Sequence, residues 1–194
     1  MSEQTRAGWP AAPDGYRELW PKTAIKPILG LAGWSGSGKT TLLAGIIPLL
    51  VQQGVRIALI KHAHHRFDVD HPGKDSHILR KAGASQVLLT SGRRFALMHE
   101  REQERDPVLV EELSRLDQSC VDLVLVEGFR DERFPKLEVH RPAQGRPALH
   151  DGDDSIIAVA TDAADALVTA LPILDLNNPP EITGFIARQL LGRH

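Results

Sequence analysis

The chain has 194 residues, 42% of them hydrophobic and 25% charged, with a formal net charge of -2. That balance suits one soluble globular domain with its own core and gives no global pull toward nucleic acid. A single cysteine excludes an intramolecular disulfide and fits a reducing compartment; because Cys120 precedes the apolar run from Val121 to Val126, it reads as a buried structural thiol.

Residues 1–21 hold Pro10, Pro13 and Gly15 among scattered charges and lack the apolar core of a signal peptide, so they read as a flexible extension. Residues 22–194 then form one domain. No stretch is long and apolar enough to span a bilayer, and a cytoplasmic protein is expected. Residues 27–32 read as a first strand, followed directly by a glycine-rich loop. From Thr40 to Val51, Leu42, Leu43, Ile46, Ile47 and Leu50 recur at helical spacing, with Pro48 expected to kink that helix or end it early.

Further strands are expected at 55–61, 86–90 and 94–99, with a short helix at 76–81 stopped by Gly83. Asp106 and Pro107 open a helix reaching Asp117, and 122–126 reads as a central buried strand. Residues 137–141 alternate, as a more exposed strand would. After a loop rich in Gly, Pro and Asp come a buried strand at 155–160 and a closing helix at 181–191. Short apolar strands alternating with amphipathic helices predict an α/β fold of the P-loop NTPase type, a mostly parallel sheet flanked by helices.

The loop after the first strand reads Gly33-Trp34-Ser35-Gly36-Ser37-Gly38-Lys39-Thr40, followed by Thr41. Glycines at this spacing let backbone amides curl around phosphate oxygens, and the following helix adds its positive end. Lys39 would reach the β- and γ-phosphates, and the Thr40 hydroxyl would hold Mg²⁺. An acidic partner for the metal is expected at the end of a neighbouring strand, and Glu127, closing the run from Leu123 to Val126, supplies it. A solvated strand-end glutamate is the plainer alternative.

The segment from Lys61 to Ser76 gathers His62, His64, His65, Arg66, Asp68, Asp70, His71, Gly73 and Lys74 after the second strand. Three readings stand: a transition-metal site of His62, His64, His65 and His71, an ordinary solvated loop, or a switch-like loop. In the switch-like loop, Asp68 or Asp70 faces the Mg²⁺ or the attacking water. Lys61, His64, His65, Arg66 and Lys74 then face an anionic partner, extended by Arg80, Lys81, Arg93, Arg94 and Arg130.

Together the strings 33–43, 61–76, 79–84 and 123–129 resemble the molybdopterin-guanine dinucleotide biosynthesis adapter proteins, the MobB family. The resemblance runs from Ile28 onward. It implies a GTP-binding P-loop protein, a homodimer, that works beside the guanylyltransferase attaching GMP to molybdopterin and hydrolyses GTP slowly if at all. Direct binding of molybdopterin is left open by it. Where GTP-binding proteins often carry Asn-Lys-x-Asp, this chain offers Ala160-Thr161-Asp162, so Asp162 either bonds the guanine edge or caps the next helix. A P-loop small-molecule kinase and a metal-delivery GTPase are the competing functions.

Overall fold

The structure, a computed structural model, describes residues 14–63 and 68–193. Two compact units emerge, one made by the chain up to His62 and again from Pro107, the other by Ala63–Asp106. The first unit holds a six-stranded sheet in the order β2-β5-β1-β6-β7-β8, with every pairing parallel. Its strands are β1 (Ile28–Ala32), β2 (Ile57–Lys61), β5 (Leu123–Glu127), β6 (Lys136–His140), β7 (Ile156–Thr161) and β8 (Ile173–Asp175). The three-residue β8 is too short to leave a periodic signal, and the sequence reading missed it.

Alternation within the strands sorts two apolar layers. Leu29, Leu31, Leu125, Leu137 and Val139 pack with Leu42, Leu43, Ile46 and Leu50 of α2 (Lys39–Gln52) and with Ile182, Ile186 and Leu190 of α5 (Pro179–Leu190). Ile28, Val124 and Val126 pack with Phe129, Phe134 and with Leu109 and Leu113 of α4 (Leu109–Ser114). Near the start of the described chain, α1 (Asp14–Arg17) is one turn, and Tyr16, Leu19 and Trp20 rest partly buried against these layers. No helix among the described residues is long and apolar enough to cross a membrane.

The second unit is smaller: α3 (Asp75–Lys81) followed by an antiparallel ribbon of β3 (Gln86–Thr90) and β4 (Phe95–His99).

Several expectations are corrected. The helix after the glycine loop runs through Pro48 to Gln52 without ending early. Pro48 and Ala44 both lie on the exposed side, so the carbonyl left without its partner faces water, while Leu42, Leu43, Ile46 and Leu50 hold the inner face. The helix after Pro107 is shorter than expected because Leu109 N–H is drawn to the Glu132 carboxylate at 2.9 Å, and the chain tightens into a 3₁₀ turn at Gln118–Cys120. Cys120 is exposed, its thiol donating to Asp117 at 3.0 Å.

Most instructive is β6, expected to be exposed and found buried along its whole length. It lies between β1 and β7, so its alternation separates an apolar layer from a polar one instead of core from solvent. Lys136 Nζ donates to Arg130 O at 2.8 Å and Glu132 O at 2.6 Å and pairs with Asp153 at 2.6 Å. Glu138 accepts the amides of Leu149 at 2.7 Å and His150 at 3.0 Å and the His150 ring at 2.7 Å. These charges are tolerated inside because each has its partners.

Burial alone would push the Asp153 carboxyl up; the Lys136 ammonium and the hydroxyl and amide of Ser155 hold it below the ordinary carboxylate value. Its contribution is therefore complete above the unfolded value and fades as pH falls through the lower folded one. Lys136→Met is expected to cost about 3 kcal/mol in urea unfolding, the low end for breaking a buried pair because a quarter of the Asp153 side chain stays exposed. It should also remove that acid-side loss of stability. Adding Asp153→Asn should restore part of the loss.

Candidate functional site

The glycine loop leaves the carboxyl end of β1, near the middle of the parallel sheet, where open α/β sheets bind ligands. Gly38, at φ 102°, turns the chain into α2 in a left-handed conformation that a side chain would resist. No side chain caps α2, and its first turn holds no acidic residue, so its leading amides and positive end are left to a ligand. Inside the loop the Ser37 hydroxyl is buried with no hydrogen-bond partner. A phosphate oxygen is the kind of group that such a cradle accepts.

Lys39 folds back along the loop, its ammonium donating to Gly33 O at 2.9 Å and Trp34 O at 3.0 Å. Burial pulls its proton affinity below the ordinary lysine value; Glu127 opposes this, and the charges of Arg130 and Lys61 add to it. Ser35 and Gly36 lie exposed at the tip of the loop, and Thr41 is exposed on α2.

Glu127 arrives by strand register. β5 lies between β1 and β2, and Glu127 is level with Leu31 on one side and Lys61 on the other. Thr40 Oγ1 donates to Glu127 Oε1 at 2.9 Å, so the predicted metal pair is in direct contact. The same carboxylate meets the Lys61 ammonium at 3.2 Å, and Lys61 is 3.4 Å from Thr40 Oγ1. Two hard oxygen donors with a cation between them fit a magnesium site in donor chemistry. Lys61, assigned from sequence to a partner-facing surface, thus stands at the loop itself.

Asp162 follows β7 and forms an ion pair with Arg141, which follows β6; the pair is placed by the His140–Thr161 register. Asp162 caps no helix, because the N-cap of the next 3₁₀ turn (Ala164–Ala166) is Ala163, without a side-chain cap. Arg141 Nε also donates to Ser37 O at 3.0 Å, joining Asp162 to the phosphate loop. Sequence reasoning missed Arg141, treating it as the end of an exposed strand. Its signal was a position just past a strand neighbouring the loop strand. Trp34 was missed as well. Its indole N–H donates to Pro147 O at 2.9 Å, and the guanidinium carbons of Arg130 and Arg146 lie 5.0 and 5.4 Å from its ring centroid.

Within the second unit, Asp68 and Asp70 are gathered on Arg80. Asp68 pairs with Arg80 at 2.6 Å, Asp70 lies 3.8 Å from it, and Glu100 closes the group at 2.6 Å. Asp70 also accepts the Ser76 hydroxyl at 2.8 Å. The Arg80 hydrogen bond, aided by the Asp70 amide, holds the Asp68 carboxyl below its ordinary value. Arg80 was expected to extend a basic surface; its side chain is only 10% exposed and its charge is spent on these acids. Lys74 is exposed at the start of α3. His64, His65 and Arg66 lie outside the described residues. Among the described residues no group of three or more His, Cys, Asp or Glu is placed to hold a metal ion.

The family model for molybdopterin guanine dinucleotide synthesis protein B, MobB, matches residues 28–162. The chain is 48% identical over 166 residues to the molybdopterin-guanine dinucleotide biosynthesis adapter protein of Escherichia coli, covering 85% of this chain and 93% of that protein. The adapter of the same name from Haemophilus influenzae is 43% identical over 165 residues, covering 84% and 89%. In fold, the chain resembles Bacillus subtilis MobB with a TM-score of 0.66 at 23% identity, over 86% of this chain and 99% of that one. These likenesses favour neither the kinase nor the metal-delivery alternative.

Lys39→Ala is expected to leave the fold intact, since among the described residues the Lys39 ammonium donates to carbonyls of its own loop. Its affinity for a nucleoside triphosphate should fall by about tenfold to a hundredfold, the worth of one charge-assisted contact, in calorimetry against the parent. Equal affinities would refute the role given to Lys39.

Proposed function

This chain belongs to the MobB family of adapters in molybdopterin-guanine dinucleotide biosynthesis, and we propose that it works there by binding GTP·Mg²⁺ in the cytoplasm beside the guanylyltransferase. The observation that carries the nucleotide reading is the Thr40–Glu127 contact at 2.9 Å beside an uncapped α2. Gly33, Ser35, Gly36, Ser37, Gly38, Lys39, Thr40 and Thr41 hold the phosphates. Thr40 and Glu127 hold the metal, displacing Lys61 toward the phosphates, and Asp162 reads the guanine edge from its Arg141 pair. Bound Mg²⁺ supplies charge neutralisation to the phosphates; the residues position and exclude water.

Lys61, Lys74, His64, His65 and Arg66 face the anionic partner, for which the phosphate of molybdopterin is the proposed group. Asp68 and Asp70 orient the attacking water. A carboxylate already held by Arg80 is a weak base, and hydrolysis is accordingly slow.

GTP binding is tested by calorimetry with GTP and ATP. With Asp162 as the proposed reader of the guanine edge, a preference of about one hydrogen bond's worth, roughly fivefold to tenfold, is expected for GTP. Tight ATP binding without preference would sink the guanine assignment. Glu127→Gln should weaken GTP binding in excess Mg²⁺ more than in chelator, because the carboxylate acts through the metal. The same loss in both would remove Glu127 from the metal site.

The protein works as a homodimer through the β3–β4 ribbon. Leu88 and Leu97 are cross-strand partners, Phe95 shares their face, and the three are 60%, 57% and 74% exposed. A two-stranded ribbon with an uncovered apolar face is a pairing surface. Phe95→Ser with Leu97→Ser should shift sedimentation from dimer to monomer while leaving GTP affinity in place; an unchanged dimer would exclude this face.

A further inference from the structure

The turn that follows Glu127 is unusual in its backbone. Gly128 has φ 103°, and a Cβ there would lie 2.6 Å from the Cβ of His62. Phe129 follows with φ 53°, and among the described residues it is the one non-glycine with positive φ. Its ring is buried among Ile28, Val124 and Val126 and lies 5.1 Å from the His62 ring, so packing enforces the strained conformation. Two left-handed residues in succession reverse the chain, and the residue delivered by the reversal is Arg130.

Arg130 is not placed at random. Its guanidinium lies over the Trp34 ring, and Trp34 is part of the phosphate loop, its carbonyl bonded to the Lys39 ammonium at 3.0 Å. Arg130 is therefore close enough for its charge to be felt at Lys39. Its acidic neighbour Asp131 lies 3.5 Å away and is 92% exposed, so that pair is weak and water-screened. The Arg130 side chain itself is 43% exposed and able to move. An arginine on a tryptophan is often no more than surface packing. Here, however, a strained turn anchored in the core brings a further cation to the loop that already carries Lys39, and places it three residues after the metal-side carboxylate.

We propose that Arg130 is a ligand of the terminal phosphate: resting on Trp34, it turns to the γ-phosphate when a triphosphate fills the loop. It rests on the reading that the loop binds GTP. Glu127 on the metal side and Arg130 on the phosphate side then report the terminal phosphate through one turn, so the chain distinguishes GTP from GDP. A guanidinium suits this task because it meets phosphate oxygens in a planar fork and stacks on indole when released. A cation supplied in cis to the transferring phosphate is a recurring device of P-loop proteins.

The experiment measures GTP and GDP affinity by calorimetry, and tryptophan fluorescence on binding, for the parent, Arg130→Ala, Arg130→Lys and Trp34→Phe. The backbone bond from Lys136 to Arg130 O survives these changes, so the fold should hold. The expected result is that Arg130→Ala binds GDP within about twofold of the parent and GTP about tenfold or more weakly. Arg130→Lys should recover part of the GTP affinity. The parent's fluorescence should change with GTP and much less with GDP, and this difference should vanish in both Arg130→Ala and Trp34→Phe. Equal losses for GTP and GDP, or no loss, in a parent that binds GTP through Lys39 would overturn the role of Arg130 alone. A parent that binds neither nucleotide would overturn the GTP reading beneath it.

Discussion

The site depends on the register of β5. As the strand between β1 and β2, it sets Glu127 level with the end of the loop strand on one side and with Lys61 on the other. One carboxylate thereby meets a hydroxyl from the head of α2 and an ammonium from β2. A slip of one residue would turn Glu127 to the opposite face of the sheet and bring Val126 to the loop. The register is fixed by the fully buried Leu123, Val124, Leu125 and Val126, which divide between the two apolar layers. The chemistry at the rim is thus specified by packing beneath it. Burial lowers the proton affinity of Lys39 first, Glu127 opposes this, and the nearby charges of Arg130 and Lys61 add smaller repulsions. An anion bound at the loop would offset those repulsions.

The far side of the sheet is held by a different principle. Where β6 passes between β1 and β7, Lys136, Glu138 and His140 are buried; the Lys136 ammonium holds the carbonyls of Arg130 and Glu132, and the Glu138 carboxylate holds the amides of Leu149 and His150. Loops without apolar residues enough to bury are fastened instead by charged anchors whose desolvation is met contact by contact. The arrangement matters to function because Arg130 begins one of those segments, and Arg146 and Pro147, which clasp Trp34, precede the other. The buried charges of β6 therefore steady the walls on either side of the phosphate loop.

How much of this was legible depended on whether the signal was local. The phosphate loop was legible because its glycines, lysine and threonine act through one contiguous backbone turn, and Glu127 because it closes an unmistakably apolar strand. The strands β1, β2, β5 and β7 came out within one or two residues for the same reason. Lys136 and Glu138 were misread because alternation cannot tell solvent from a polar interior; the partners that satisfy them come from residues up to 17 positions along the chain. Arg141 and Trp34 were invisible as site residues, since their meaning lies in Asp162, Ser37 and Pro147, which only the fold brings to them. Cys120 was misplaced by proximity to a buried strand, whereas the 3₁₀ turn before that strand keeps it at the surface.

The state of the carboxylates bears on whether the nucleotide of the proposed function would be turned over or held. A general base works best with a proton affinity near the operating pH, which proteins reach by burying a carboxyl away from cations. Here the opposite has been done to Asp68, which Arg80 holds in its ionised form, and Asp70 is engaged by Ser76 and lies beside the same guanidinium. Within the first unit, Glu127 at the phosphate loop is committed to Thr40 and Lys61. Each of these three carboxylates is already paired with a cation. Under the proposed function, such pairing would favour holding a bound triphosphate over speeding attack on it.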